Sequence, residues 1–271
     1  MDVARSGLLI AIDIGNSHWV VGLTHGRQTL GEWRMETKAE RTADEYIALL
    51  KSIMTLDQAA REVDGVAITC VVPAMVPVAV ELAQRLFHKE PLVVGPGVKT
   101  GLSLKVDQPR EVGPDRIVNA VAGVDRVGFP MVVVDFGTAI TFDVVDQGGN
   151  YRGGAIAPGI GLSAKALFQG AARLSAVELT PPPSAIGHNT VDAIRSGLLL
   201  GYAGLIEGLL ARIQAELGVD KLPVIATGGW GATLAPLCPA IDLYDPHLTL
   251  TGLVLIWHRH FGLPLPETSE V

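Results

Sequence analysis

Three aspartates sit where a carboxylate can serve phosphate chemistry. Asp13 ends the apolar run Leu8-Leu9-Ile10-Ala11-Ile12 and opens Asp13-Ile14-Gly15-Asn16-Ser17. A short buried strand running into a tight turn fixes that carboxylate, and Gly15 lets the next backbone amides approach an anion. Trp19 to Leu23 resumes a strand pattern, so the unit reads as a hairpin with a carboxylate at its tip. Taken alone, it equally describes an ordinary turn with a solvated aspartate. Asp135 repeats the arrangement: apolar Met131 to Val134, then Asp135-Phe136-Gly137-Thr138, then a second strand from Ile140 to Val145. The third carboxylate, Asp115, lies in Gly113-Pro114-Asp115-Arg116, ahead of Ile117, Val118, Val121 and Val124 at helical spacing. Gly113 supplies a turn, Pro114 suits the first helical turn and an acidic side chain favours the positive helix start. From local sequence, Asp115 therefore reads as a helix cap, with any further role left open.

The elements that must position these groups come in two similar sets. Each hairpin continues through a polar turn into a third strand, Gln28 to Arg34 in one case and Tyr151 to Ile156 in the other. The copies stand nearly half the chain apart, which marks a duplicated domain rather than a solenoid repeat. Two halves that each present a carboxylate hairpin suggest a cleft with nucleotide phosphates bridging it. In this the chain resembles the superfamily of actin and the sugar kinases. The fold expected from it is α/β, with duplicated actin/ribonuclease H-like domains, each a mixed sheet flanked by helices, and the nucleotide cleft between them. The halves are expected at residues 1–117 and 118–271, with the last helix, about 248–262, packing back on the first.

Composition narrows the class. At 271 residues, 48% hydrophobic and with 31 glycines, the chain can bury a sizeable core and reads as a turn-rich α/β enzyme. A net charge of −7 without a basic run argues against nucleic acid or an anionic membrane surface as the main partner. Cys70 and Cys238 have no metal or redox spacing, so a reducing cytoplasm is expected. Asp2 and Arg5 precede an apolar run too short for a signal peptide. The most apolar longer stretch, Gly197 to Ala211, is interrupted by Glu207 and falls short of a membrane span.

Local signals fill in the order. Thr42 with Glu45 three residues later forms a capping box, and Ile47, Leu50, Ile53 and Met54 form that helix's expected buried face. A strand over Val66 to Val72, a helix over Val78 to Phe87 and a short strand at Leu92 to Val94 imply crossovers and a partly parallel sheet. Gly153 to Gly161 is a glycine-rich passage into a helix over Leu162 to Phe168, read as either a phosphate approach or a close-packing turn. A long helix starts near Thr190. It carries the apolar stripe Val191, Ile194, Leu198, Tyr202, Leu205 and Leu209, and beside it the row Gly197, Gly201, Gly204 and Gly208. That row forfeits on the order of 4 kcal/mol of helix preference, which a closely approaching second backbone could offset. Packing within one subunit is the other reading. Val224 to Ala226 is a strand running into Thr227-Gly228-Gly229. His258 and His260 lack metal-site spacing and are expected on the surface, and the tail Glu267 to Val271 is expected to fray.

Five motifs in order carry a closer resemblance: Asp13 to Ser17; Arg41-Thr42-Ala43-Asp44-Glu45; Pro109-Arg110-Glu111-Val112-Gly113-Pro114-Asp115-Arg116; Asp135-Phe136-Gly137-Thr138-Ala139; and Asn189-Thr190. Together, from about Leu8 to Trp257, they are similar to type III pantothenate kinase. The resemblance implies ATP-dependent phosphorylation of the 4′-hydroxyl of pantothenate, the first step of coenzyme A synthesis, by a cytoplasmic homodimer with a shared active site. It implies ATP and its hydrated Mg2+ at Asp13, Ile14, Gly15, Asn16, Ser17, His18, Trp19, Val20 and Thr138. It places pantothenate at Gly113, Pro114, Asp115, Arg116 and Thr190, with Asp115 as the base and Arg116 near the substrate carboxylate. It places K+ or NH4+ at Asp135 and the adenosine at Gly228-Gly229. Four positions depart from the family: Val106 stands where a tyrosine is usual, His18-Trp19 is bulkier than the common small polar pair, and Pro114 replaces an alanine. A different small-molecule kinase, a polyphosphate phosphatase or a non-catalytic regulator on the same fold is the alternative.

Overall fold

The computed structural model describes residues 7–54, 62–171 and 174–266. Asp2, Arg5 and the tail Glu267 to Val271 lie outside the described residues. Among the described residues, those within Met1–Leu102, Asp107–Ala122 and His247–Val271 form one compact unit, and those within Ser103–Val106 and Gly123–Pro246 a second.

The first unit is built on β1 (Leu8–Ile14), β2 (His18–His25), β3 (Gln28–Glu36), β4 (Gly65–Cys70) and β5 (Leu92–Val93), in the order β3-β2-β1-β4-β5. β1 is antiparallel to β2 and parallel to β4, so the sheet is mixed. Its two faces are both covered. Ile10, Ile12 and Ile14 point into a core closed by α1 (Ala43–Ile53) and α2 (Val76–Phe87). Leu9 and Ala11 alternate to the other face, where α8 (Leu248–Phe261) and α3 (Pro114–Val127) lie.

Thr42 caps α1 as its sequence requires: Thr42 Oγ1 accepts from the Glu45 amide, and the Glu45 carboxylate accepts from the Thr42 amide at 2.8 Å. Of the expected buried face of α1, Leu50 and Met54 are buried and Ile47 packs against the same core, while Ile53 is 44% exposed. Ala43 and Tyr46 join that face: the Tyr46 ring stacks on Trp19 at 4.2 Å and its hydroxyl accepts from the Lys38 amide. His258 also departs from expectation. It is buried beside Trp257 on α8, because the chain folds back over the helix end through the Leu263 N–H to the His258 carbonyl.

The second unit repeats the plan. Its sheet of β6 (Ser103–Leu104), β7 (Met131–Phe136), β8 (Ala139–Val145), β9 (Asn150–Pro158), β10 (Val224–Thr227) and β11 (Leu243–Tyr244) is ordered β11-β10-β7-β8-β9-β6. Read from β9, the order β9-β8-β7-β10-β11 is that of the first sheet, with β6 added at the edge. Val132, Val134 and Phe136 pack against α4 (Ile160–Gly170) and a long helix on one face. That helix comprises α5 (Thr190–Arg195), a π turn at Ser196–Leu200 and α6 (Gly201–Leu217).

By length and apolar composition, the helical stretch Thr190–Leu217 could cross a membrane, a property it shares with core helices of soluble proteins. Its apolar stripe packs inside its own unit: Ile194, Leu198 and Tyr202 belong to the core cluster, and only Val191 is well exposed. The glycines do not follow it. Among the described residues, a Cβ at Gly197, Gly201 or Gly204 would meet nothing within 4 Å, and one at Gly208 only Arg212 of the same helix.

Candidate active site

Each hairpin carboxylate stands at the carboxyl end of a central strand, where ligands of open α/β sheets bind. Asp13 is the penultimate residue of β1 and is half-buried. The turn behind it is anchored from β3: the Thr37 N–H donates to the Ser17 carbonyl at 2.9 Å, and Thr37 Oγ1 donates to the Gly15 carbonyl at 2.7 Å. The Gly15 N–H closes the turn on the His18 carbonyl at 2.9 Å. With its carbonyls held on the protein side, the exposed stretch Asn16, Ser17 and His18 is left to meet a ligand. Sequence reading missed Thr37. Its only signal is a hydroxyl residue directly after the third strand, which is too common to single out.

Ile14 and Trp19 are fully buried, so they can offer a ligand only their backbone, while Val20 is half-buried against the α8 face. The bulky Trp19 is therefore a core residue stacked on Tyr46, with Arg41 above the other ring at 5.7 Å.

Asp115 lies in the first turn of α3, whose Arg116 and Ile117 amides donate to the Gly113 carbonyl. A Cβ at Gly113 would force Asp115 Oδ1 to shift. Burial pushes the Asp115 carboxyl above the ordinary carboxylate range. The Arg116 amide, the Arg116 guanidinium and the amide of Asp115 itself oppose the rise. A carboxyl raised by burial is what a base needs and more than a helix cap requires.

In the second unit the turn after Asp135 is clamped. The Gly159 N–H donates to the Thr138 carbonyl at 3.0 Å and the Trp230 N–H to the Phe136 carbonyl at 3.2 Å. Gly228, with φ +89°, lies so close that a Cβ would collide with Asp135 Oδ1 and the Phe136 backbone. Thr138 is exposed at the tip. Thr190 is exposed at the start of α5, which Asn189 caps by accepting from the Asp192 amide at 2.9 Å. Val106 lies next to β6, with its methyl against Gly153.

Asp13 to Val20 and Gly113 to Arg116 thus share the first unit, and Asp135, Thr138, Gly228 and Thr190 the second. Among the described residues no three His, Cys, Asp or Glu side chains converge as they would on a transition metal. Both cysteines are free, and burial pushes the Cys238 thiol up to about 11, which leaves it an inert core group.

Solved structures of similar fold include a conserved Baf family protein of Campylobacter jejuni, with TM-score 0.62 and 20% identity, covering 94% of this chain and all of that one. They also include an inorganic polyphosphate/ATP-glucomannokinase from Arthrobacter sp. strain KM, with TM-score 0.51 and 14% identity, covering 95% of this chain and all of that one. At these identities they establish the fold alone, that of the actin-like sugar kinases. Closer in sequence are two proteins named type III pantothenate kinase. That of Roseiflexus castenholzii is 48% identical over 93% of this chain and 99% of its own length, and that of Moorella thermoacetica 45% identical over 93% and 100%. The family model for type III pantothenate kinase matches residues 9–212. With the carboxylate hairpins and the Gly-Pro-Asp-Arg helix start inside that span, the chain belongs to the type III pantothenate kinase family.

Proposed function

We propose that this chain transfers the γ-phosphoryl group of ATP to the 4′-hydroxyl of pantothenate, yielding 4′-phosphopantothenate and ADP, the first step of coenzyme A synthesis. The observation that carries the reading is family membership across residues 9–212 in a chain that keeps Asp13, Asp115 and Asp135. Phosphoryl transfer asks mainly for alignment and charge neutralisation, so backbone amides, cations and one well-placed base suffice.

The exposed turn Asn16 to His18 receives the triphosphate, and Thr138 is a further candidate phosphate ligand. Asp115 accepts the proton of the pantothenate hydroxyl as its oxygen bonds to phosphorus. Its raised carboxyl is a stronger base than a solvated aspartate. Arg116 offers a planar fork to the pantothenate carboxylate. The carboxylate of Asp13 fits Mg2+, which keeps most of its waters and takes one or two carboxylates beside the substrate phosphates. Bound there, the ion neutralises phosphate charge. Oxygen donors at Asp135, with Gly228 drawn in beside it, fit a K+ or NH4+ ion.

The enzyme acts as a cytoplasmic homodimer. The open row Gly197, Gly201 and Gly204 supports this, since no backbone among the described residues approaches it. Thr190, at the start of that helix, reaches the partner's pantothenate. Co-expression of Asp115→Asn and Thr190→Arg chains, each inactive alone, should restore activity through one intact site per mixed dimer. A mixed dimer without activity refutes the shared site.

The test of the reaction itself is ATP consumption in potassium buffer with and without pantothenate. Consumption should depend on pantothenate and produce its 4′-phosphate. ATP use with a sugar but none with pantothenate would sink the reading in favour of another kinase on this fold.

A further inference from the structure

Across the first sheet, one row of side chains on the α3 and α8 face runs Val20, Asp13, Thr69 and then Val94 beyond β5. Asp13 pairs in register with Val20 on β2 and with Thr69 on β4. The row before it, Gly22, Ala11, Ala67 and Leu92, is wholly apolar. Two polar residues thus adjoin each other at the carboxyl end of parallel strands, between apolar flanks.

Thr69 is fully buried, and its hydroxyl makes no hydrogen bond among the described residues. Thr24, the other buried threonine of this sheet, instead donates to the Leu9 carbonyl at 3.1 Å. A buried hydroxyl without a partner is destabilising, and valine would fill the same space without that cost. The pair also recurs: in the second sheet Asp135 stands in register with Thr227, the last residue of β10 and likewise buried. Both halves keep a threonine beside the hairpin carboxylate after duplication, although the sheets differ elsewhere.

We infer that Thr69 is a positioning residue for the hydrated divalent cation, its hydroxyl holding a water of the ion's shell beside the Asp13 carboxylate. The inference rests on the proposed role of Asp13. Magnesium sheds water reluctantly, so a site for it needs hydrogen-bonding groups for its waters as well as a carboxylate. A neutral hydroxyl, able both to donate and to accept, suits a position next to a carboxylate, where a second negative charge would repel the triphosphate.

The test is calorimetric binding of an ATP analogue with a non-hydrolysable β–γ bridge, titrated across Mg2+ concentration, with the thermal midpoint measured in parallel. Thr69→Val should unfold at the same or a higher temperature yet need about tenfold more Mg2+ for half-maximal nucleotide binding. Thr69→Ser should keep the wild-type requirement. An unchanged requirement in Thr69→Val overturns the inference, and so does a serine variant as impaired as the valine one, since packing would then be the cause. Asp13→Asn separates this from the underlying reading. If Asp13→Asn raises the requirement and Thr69→Val does not, only the role of Thr69 falls. If neither raises it, the role of Asp13 falls with it.

Discussion

The β1–β2 and β7–β8 hairpins share strand order, an Asp-x-Gly sequence and a threonine in register on the neighbouring parallel strand, yet one presents an open turn and the other a clamped one. Residues 15–17 link β1 to β2, whereas only 137 and 138 link β7 to β8. The longer turn exposes Asn16, Ser17 and His18 and is held from behind by Thr37. The shorter one exposes Thr138 and is gripped by the amides of Gly159 and Trp230. One inserted residue thus separates a turn with three exposed residues from a turn clamped around a single carboxylate. Asp115 has no counterpart in this symmetry: α8, the helix that follows the last strand of the second sheet, carries no acidic residue in its first turn.

The largest effect should come from this asymmetric residue. Asp115→Asn should lower turnover by roughly a hundred- to ten-thousandfold, as for loss of a general base, while nucleotide affinity measured by calorimetry stays unchanged. The same substitution should raise the thermal midpoint at neutral pH. The folded protein favours the neutral carboxyl, so the stability this group contributes is present in acid and lost as pH rises through its raised value. Near-full turnover in the variant would leave Asp115 a helix cap.

A division of labour between the hairpins predicts that their carboxylates fail differently. Asp135→Asn should weaken activation by potassium, and the native enzyme should be slow in sodium-only buffer. Asp13→Asn should raise the magnesium requirement and leave the potassium response intact. Identical ion profiles for the two variants would break the comparison.

Thr37 offers a smaller test. Thr37→Val loses one hydrogen bond to the Gly15 carbonyl, worth about 1 kcal/mol, so KM for ATP should rise roughly fivefold at constant kcat. Thr37→Ser should restore it. A valine variant with unchanged KM would show that the turn holds its shape without the latch.

The smallest expected effect is in the pH profile. The acidic limb of kcat/KM should lie above the ordinary aspartate range, because burial holds Asp115 there, and Asp115→Asn should abolish that limb. A limb at the ordinary value would assign it to a more exposed carboxylate.

The sequence alone determined what depends on neighbours along the chain. The duplicated hairpins, the Thr42 capping box and the Gly-Pro-Asp-Arg helix start are set by apolar alternation and by side chains bonding to amides a few residues away, so they appear in the structure at the residues that announce them. Tertiary structure decided what depends on residues distant in the chain. Tyr46 joined the buried face of α1 because Trp19 met its ring, and His258 was buried by the chain that follows α8. The long helix turned its apolar stripe to its own sheet and left its glycines open. The partners Thr37 and Thr69 became visible only when strand register set them beside the Asp13 turn, because pairing across a sheet follows from the whole fold and leaves no local spacing to read.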